Sequence, residues 1–411
     1  MTWPTSPVPR LPGRGEVVRL RDASGEVRLS AEGPAAGMYV CGITPYDSTH
    51  MGHVATYVAF DVLRRAWLDA GLKVRVTSNV TDVDDPLLER AHATGVSWEH
   101  LAAEHEARFA RDMAALSVLP PDTYLRVSDV VPQVAEAVAA MLDAGAAYRV
   151  PTAGVGGPDV EGLGDVYADL AADPAFGSVS GLDDATMRAL FAERGGDPDR
   201  PGKRGPLDPL LWRRERPGEP AWDGGRLGRG RPGWHVECAV IAAQGLGPSF
   251  DVQAGGSDLL FPHHEMSCSH TRMLYGGRVR VHAHAGMVAY AGHKMSKSLG
   301  NLVLVGDLEH IDPAAVRLTV LAAHYSSDWE WTDARLTTGQ ARLARWRAAT
   351  ARTSGPAAAP LLDQVRAALA RDLDTPAALE ALDTWVATDG DDHDAPALVR
   401  ALTDALLGVR L

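Results

Sequence analysis

A strand, a glycine turn, a helix and a second strand between residues 36 and 100 open the pattern. A Gly-, Pro- and Asp-rich stretch of weak periodicity follows from 150 to 230, and an Ala/Leu/Arg-rich tail runs from 312 to 411. Together they predict an α/β protein: a nucleotide-binding core with an inserted subdomain and a C-terminal helical domain. A length of 411 residues suits two or three domains with ample core. Hydrophobic residues at 45% and charged residues at 23% are ordinary for a soluble globular chain. Residues 1–15 carry four prolines and no apolar run, so no signal peptide is expected. No stretch reaches the roughly 18 apolar residues of a membrane span. Cys41, Cys238 and Cys268 are too few and scattered for a disulfide scaffold. The expectation is a protein of the reducing cytoplasm, without a membrane partner. The net charge of −13 lowers the expectation of a polyanion as main partner, although a local basic patch remains compatible with it.

Taken in order, residues 16–35 read as a short β lead-in. Met38–Val40 reads as a strand, Val54–Ala70 as a helix and Val74–Ser78 as a strand. The second strand ends in Asn79-Val80-Thr81-Asp82, polar groups where α/β sheets place ligands. Residues 97–145 are mostly helical by apolar spacing, broken at Pro120-Pro121. The core resumes at 231, with Cys238–Ala243 as a helix and Phe250–Gln253 and Val281–Ala285 as strands. The helical tail is broken at Ser354-Gly355-Pro356 and Asp389–Asp392, and no internal repeat is visible. The boundaries drawn are 1–120 and 231–310 for the two halves of the core, 121–230 for the insertion and 311–411 for the helical domain.

Two motifs carry chemistry. Lys294-Met295-Ser296-Lys297-Ser298 holds two of the chain's four lysines, the others being Lys73 and Lys203. A compact ammonium there, in a chain that otherwise writes arginine, suits neutralisation of phosphates during displacement. His50-Met51-Gly52-His53 follows a strand and opens a helix, where two imidazoles three apart can face a phosphate group. Gly52 permits close approach of a nucleotide to the backbone. In this order the two motifs resemble those of the class I aminoacyl-tRNA synthetases. The resemblance implies a class I synthetase-type Rossmann core, with both motifs acting on ATP during adenylate formation.

Cys41, Cys238 and His263 lie in three separate core segments, next to these motifs. Spacing this wide makes no zinc-finger pattern and on its own fits buried thiols and a core histidine; Trp234 alone fits core packing. The segments Tyr39-Val40-Cys41-Gly42, Gly233–Cys238 and Gly255–Glu265, however, resemble cysteinyl-tRNA synthetase from about Met38 to Glu330, with a trace near Asp372–Pro376. That family binds the substrate thiolate on zinc, and Cys41, Cys238 and His263 fall on three of its ligand positions. Three protein ligands leave one tetrahedral position open, and a thiolate is favoured there over a hydroxyl.

The chain departs from that family in three places. Ser267 stands at the fourth ligand position, Pro86 stands where lysine is usual, and the chain ends soon after Ala378, without a basic anticodon-reading region. Glu193-Arg194-Gly195-Gly196-Asp197-Pro198 would in isolation be a glycine turn. It matches the ERGGDP motif of the synthetase paralogues of mycothiol biosynthesis, the ATP-dependent cysteine:glucosaminyl-inositol ligases.

This resemblance implies that L-cysteine is activated by ATP, with Mg²⁺, and passed to the amine of glucosaminyl-inositol. It assigns catalysis to His50, His53, Lys294 and Lys297, and one Zn²⁺ to Cys41, Cys238 and His263. The cysteinyl-adenylate would be held by Cys41, Gly42, Ile43, Thr44 and Thr56, by Asn79, Val80 and Thr81, and by Trp234, Gly256, Ser257, Asp258 and Val288. No tRNA partner is expected, and the family implies a monomer. The rival readings are a truncated cysteinyl-tRNA synthetase and a catalytically dead binding module. No general base and no acceptor contact is legible.

Overall fold

The computed structural model describes residues 3–4, 7–152, 164–295 and 300–411. An antiparallel hairpin, β1 (Arg19–Arg21) and β2 (Val27–Leu29), leads in. The core then runs through β3 (Ala35–Ile43), α1 (Met51–Asp69) and β4 (Lys73–Val80). All three are longer than expected: small residues and Cys41–Ile43 extend β3, Lys73 and Asn79-Val80 extend β4, and Met51-Gly52-His53 form the first turn of α1. Helices α2 (Asp85–Thr94) and α3 (Trp98–Ala115) lead to β5 (Thr123–Arg126) and α4 (Val127–Asp143). Strand β5 was not expected: four residues beginning two positions after Pro121 are too short to show alternation. It pairs parallel with β4, so residues 123–126 belong to the core sheet and not to the insertion that was drawn from 121.

The middle of the chain holds more regular structure than its composition indicates. Strands β6 (Ala147–Pro151) and β7 (Gly164–Ala168), helix α5 (Asp184–Glu193), and strands β8 (Leu210–Arg214) and β9 (Gly230–Pro232) build a four-stranded antiparallel sheet with one attached helix. Ion pairs contribute to this unit. The buried Asp165 carboxylate takes Arg200 at 2.6 Å and Arg216 at 2.8 Å. Such long-range pairs leave no periodic trace in the sequence.

The second half of the core is α6 (Trp234–Leu246), β10 (Phe250–Gly256), α7 (Glu265–Tyr275) and β11 (Val279–Ala285). Helix α6 starts four residues before the expected Cys238, at the residue after the extended Gly233. Strands β12 (Val288–Tyr290) and β13 (His293–Lys294) pair with each other. Helix α8 (Pro313–Leu321) comes next, then β14 (Trp329–Trp331), which joins β12 in parallel. The tail is α9 (Asp333–Thr350), α10 (Ala358–Ala370), α11 (Thr375–Ala387) and α12 (Ala395–Leu407).

The core sheet is parallel throughout, in the order β11-β10-β3-β4-β5. The chain moves from β3 to β4 on one side, and later places β10 on the other side. That strand-order reversal leaves a crevice at the carboxyl ends of β3 and β10, where open α/β sheets bind ligands. Alternate residues of β3 serve two cores: Met38 and Val40 pack with α1 and the tail helices, while Tyr39 and Cys41 pack with α4 and α6. No described helix is long and apolar enough to cross a membrane.

Candidate active site

The crevice is a cavity of about 320 Å³. Its floor is made by Cys41 at the end of β3, Cys238 on α6 and His263 in the turn before α7. Their ligand atoms all lie within 4.8 Å of one another, and all three residues are buried. His263 Nε2 stands 3.2 Å from Cys238 Sγ. A hydrogen bond from Cys41 and the adjacent His263 hold the Cys238 thiol well below its ordinary value, whereas burial pushes Cys41 well above. Two thiols and an imidazole, with one sulfur disposed to carry charge, are a donor set that can hold a soft metal ion. Ser267 adds no fourth ligand: its Oγ accepts from Gln253 Nε2 at 2.9 Å and donates to the His264 carbonyl at 3.3 Å.

The walls continue the sheet ends. Gly42 has no substitute, because a Cβ there would lie 1.6 Å from the Asn79 carbonyl oxygen. The Asn79 side-chain oxygen accepts from Gly42 N–H and Tyr39 Oη, both at 2.8 Å, and its amide donates to Thr81 Oγ1 at 2.9 Å. This small network ties the ends of β3 and β4 together. The Trp234 ring stacks on His263 at 4.4 Å, giving the floor an aromatic side.

The mouth is built at the N-terminus of α1, where the macrodipole favours an anion. His50 caps that helix, accepting from Gly52 N–H at 3.1 Å, and its ring stacks on His53 at 3.8 Å. A Cβ on Gly52 would come within 2.9 Å of the His50 ring, so this glycine first makes room for the histidine itself. Thr44 and Thr56 line the cavity beside them, with Gly256, Asp258 and Val288 across it. Lys294 is exposed at the rim, its ammonium 3.7 Å from the Asp258 carboxylate. Lys297 lies outside the described residues, but the described residues on either side of 296–299 are anchored. Met295 N–H donates to the Val288 carbonyl at 3.3 Å, and the Val303 carbonyl accepts from Met51 N–H at 3.0 Å. The segment after the lysine motif is therefore hydrogen-bonded to the first histidine motif.

The structure brings Cys41, Gly42, Ile43, Thr44, Asn79 and Thr81 to the same wall as the floor residues. Val80 and Ser257 do not line the cavity. Val80 is fully buried on the opposite face of β4, and Ser257 opens the turn behind Asp258. Sequence reasoning missed the layer behind the floor. His264 Nε2 sits 3.1 Å from Cys41 Sγ and its Nδ1 sits 2.8 Å from His284; His235 Nδ1 sits 3.0 Å from His263 Nδ1. Burial lowers His235, His264 and His284 below the ordinary histidine value, the last to about 3. Neutral imidazoles behind a metal-type donor set orient it. The doubled histidine at 263–264 and the histidine beside Trp234 were the only signals for them. Tyr46, Asp47 and Ser48 also line the mouth, with no motif to mark them.

Comparison with known proteins defines the class first. Residues 29–341 match the family model of the class I (C) tRNA synthetase catalytic domain. The fold agrees with solved synthetases: Mycobacterium tuberculosis methionyl-tRNA synthetase bound by methionyl-adenylate superposes with a TM-score of 0.62 at 17% identity, over 91% of this chain and 92% of that one. Among full-length relatives, the L-cysteine:1D-myo-inositol 2-amino-2-deoxy-α-D-glucopyranoside ligase of Sanguibacter keddieii is 61% identical and that of Cellulomonas flavigena 62% identical, each over 100% of both chains. The chain belongs to this ligase family, a branch of the class I synthetases.

Proposed function

We propose that the protein ligates L-cysteine to the 2-amino group of glucosaminyl-inositol at the expense of ATP, as a step of mycothiol biosynthesis. In the first half-reaction the cysteine carboxylate attacks the α-phosphorus of ATP, the bond to the bridging oxygen breaks, and pyrophosphate leaves. In the second, the sugar amine attacks the carbonyl of cysteinyl-AMP. AMP leaves with the electron pair of the anhydride bond, the amine gives up a proton, and an amide forms. The reading rests on one observation above all: the Cys41–Cys238–His263 floor and the His50/His53 mouth share a single cavity.

The roles follow from position. His50 and His53 bind and orient the phosphates at the helix N-terminus, and Lys294 at the rim meets the charge that develops at phosphorus; Lys297 is assigned to the same charge by its motif. Mg²⁺ accompanies the nucleotide. Gly256, Asp258 and the backbone about Val288 hold the adenosine side, while Thr81 and Trp234 hold the amino acid. Cys41, Cys238 and His263 would hold one Zn²⁺, which when bound supplies a soft Lewis acid that takes the substrate's sulfur as thiolate and leaves serine's hydroxyl unmatched. The neutral His235 and His264 hold the floor in register. The enzyme works as a monomer in the cytoplasm, on small molecules alone. Its core halves carry the chemistry, the insertion frames the site, and the helical domain braces α1.

The deciding experiment supplies ATP, cysteine and either glucosaminyl-inositol or tRNA. Amide formation on the amino sugar, with AMP and pyrophosphate released, is expected. Cysteinyl-tRNA as the product would favour the truncated synthetase instead.

A further inference from the structure

The insertion motif Glu193–Pro198 is a sequence signature that the proposed chemistry leaves unused. Its residues divide into two sets. Asp197 keeps its contacts within the insertion: Tyr167 Oη donates to one carboxylate oxygen, and the buried Lys203 Nζ donates to the other at 3.0 Å. Gly196 packs so closely under Phe191 that a Cβ would lie 2.5 Å from the ring. These contacts fold the insertion on itself. Arg194 faces outward. Its Nη1 leaves the insertion and donates to the carbonyls of Asp258 and Phe261.

Those carbonyls belong to the connection between β10 and α7, where regular helix fails. Ser257–Leu259 makes a 3₁₀ turn, and Phe261 is extended at φ −138°, ψ 137°. Carbonyls in such a stretch lack the partners that a helix would give them, so contacts from outside must fix its shape. The stretch carries Asp258 of the cavity wall near its start and His263 of the floor near its end. A second contact reaches it from the insertion. The fully buried Glu265 carboxylate accepts from the backbone N–H groups of Gly177 at 2.9 Å, Val179 at 3.0 Å and Ser180 at 2.7 Å. The insertion thus holds the connection at its far end through Glu265 and along Asp258–Phe261 through Arg194.

We infer that Arg194 is a positioning residue for cysteine activation: it fixes the Asp258–Phe261 turn so that Asp258 and His263 face the same substrate. The inference rests on the adenylating reading above. Charge-assisted hydrogen bonds to main-chain carbonyls exceed neutral ones in strength, and a misplacement of about 1 Å can cost on the order of 10²-fold in a reaction.

The test uses cysteine-dependent ATP–pyrophosphate exchange, thermal midpoint and bound metal on the full-length enzyme. Arg194→Gln should raise the cysteine KM by about 10-fold or more with a near-native thermal midpoint. Asp197→Asn should do the reverse, lowering the midpoint and leaving KM alone. Arg194→Lys should fall between Arg194→Gln and wild type, since an ammonium keeps the charge on a shorter stem. A wild-type enzyme without cysteine-dependent exchange would overturn the activity reading itself. Wild-type exchange together with an Arg194→Gln KM within about twofold of it would overturn the positioning role alone. So would an Arg194→Gln that loses stability as Asp197→Asn does with KM unmoved. Should Arg194→Gln fail to fold, Arg194→Lys decides: a raised KM at native midpoint supports the role, and a wild-type KM overturns it.

Discussion

Two buried polar clusters in this molecule look alike by burial and differ in how their groups are satisfied. Between α1, α8 and α12, Asp61 lies against Arg65 and Arg317, each 3% exposed or less. Asp61 accepts from Arg65 Nε at 2.6 Å, from Arg317 and from Leu119 N–H at 2.9 Å. The remaining guanidinium N–H groups reach the carbonyls of Asp404, Ser117, Leu407 and Leu116. The chain supplies these partners itself, and the result ties the helical tail to the catalytic core. At the crevice, Cys41, Cys238 and His263 have each other and neighbouring imidazoles, and they face a cavity. Burial of polar groups therefore does not mark function here. Donors assembled against an open space do.

The comparison breaks most visibly at Cys238. Cys238→Ser should bind no zinc equivalent and slow cysteine-dependent exchange by about 10²-fold or more, while the thermal midpoint moves far less than activity. Metal analysis and exchange on the purified variant check it, and a full equivalent of zinc would refute the ligand assignment.

Asp61→Asn should give the opposite signature. Two buried guanidinium groups would lose their counter-charge, at a cost of about 3–5 kcal/mol in denaturant unfolding, with exchange per folded molecule preserved. The pH dependence follows in sign. Burial alone would raise the Asp61 value, but Arg65 and Arg317 outweigh it and hold the carboxyl below its ordinary range. The unfolded chain then binds the proton more readily. This stabilisation is present above about pH 4 and is lost as pH falls through the folded value. The acid limb of the stability curve should be shallower in the variant; identical limbs would show that Asp61 contributes nothing there.

Lys297→Ala comes next, slowing adenylate formation by on the order of 10²-fold if the ammonium acts on charge developing in the transition state. Its stability should be unchanged, so rapid-quench measurement of pyrophosphate release separates it from both clusters. An unaltered rate would remove Lys297 from the mechanism.

Much of the site was legible because its parts carry rare or rigid residue types. The paired lysines stand out in an arginine-writing chain. Gly42 and Gly52 sit where side chains cannot, and Cys41 follows the apolar run Met38–Val40. The α/β core was legible through the strand, glycine turn, helix and second strand of residues 36–100. Strand β5 was hidden by brevity, and the insertion's sheet is supported by pairs such as Asp165–Arg200 that no periodicity records. His235 and His264 were hidden for another reason. Each adjoins a better-marked residue, and only the fold shows that their rings turn toward the cysteine–histidine floor. Arg194 was visible as part of a motif, but its direction out of the insertion was not.

The smallest effect tests whether the satisfied kind of network also serves the site. Tyr39 Oη donates to the Asn79 oxygen that also receives Gly42 N–H. Tyr39→Phe removes one of these two donors and leaves the acceptor partnered, so the loss in stability should be about 1 kcal/mol. Asn79 still bridges the ends of β3 and β4, but with more freedom, and Thr81 moves with it. The cysteine KM should rise a few-fold while the rate at saturation stays near wild type, because positioning of the bound amino acid is affected and the phosphate end is not. Steady-state exchange with varied cysteine distinguishes the cases. A change confined to the rate at saturation would mean that this network serves the adenylating end, and a change in stability alone would place it with the Asp61 cluster.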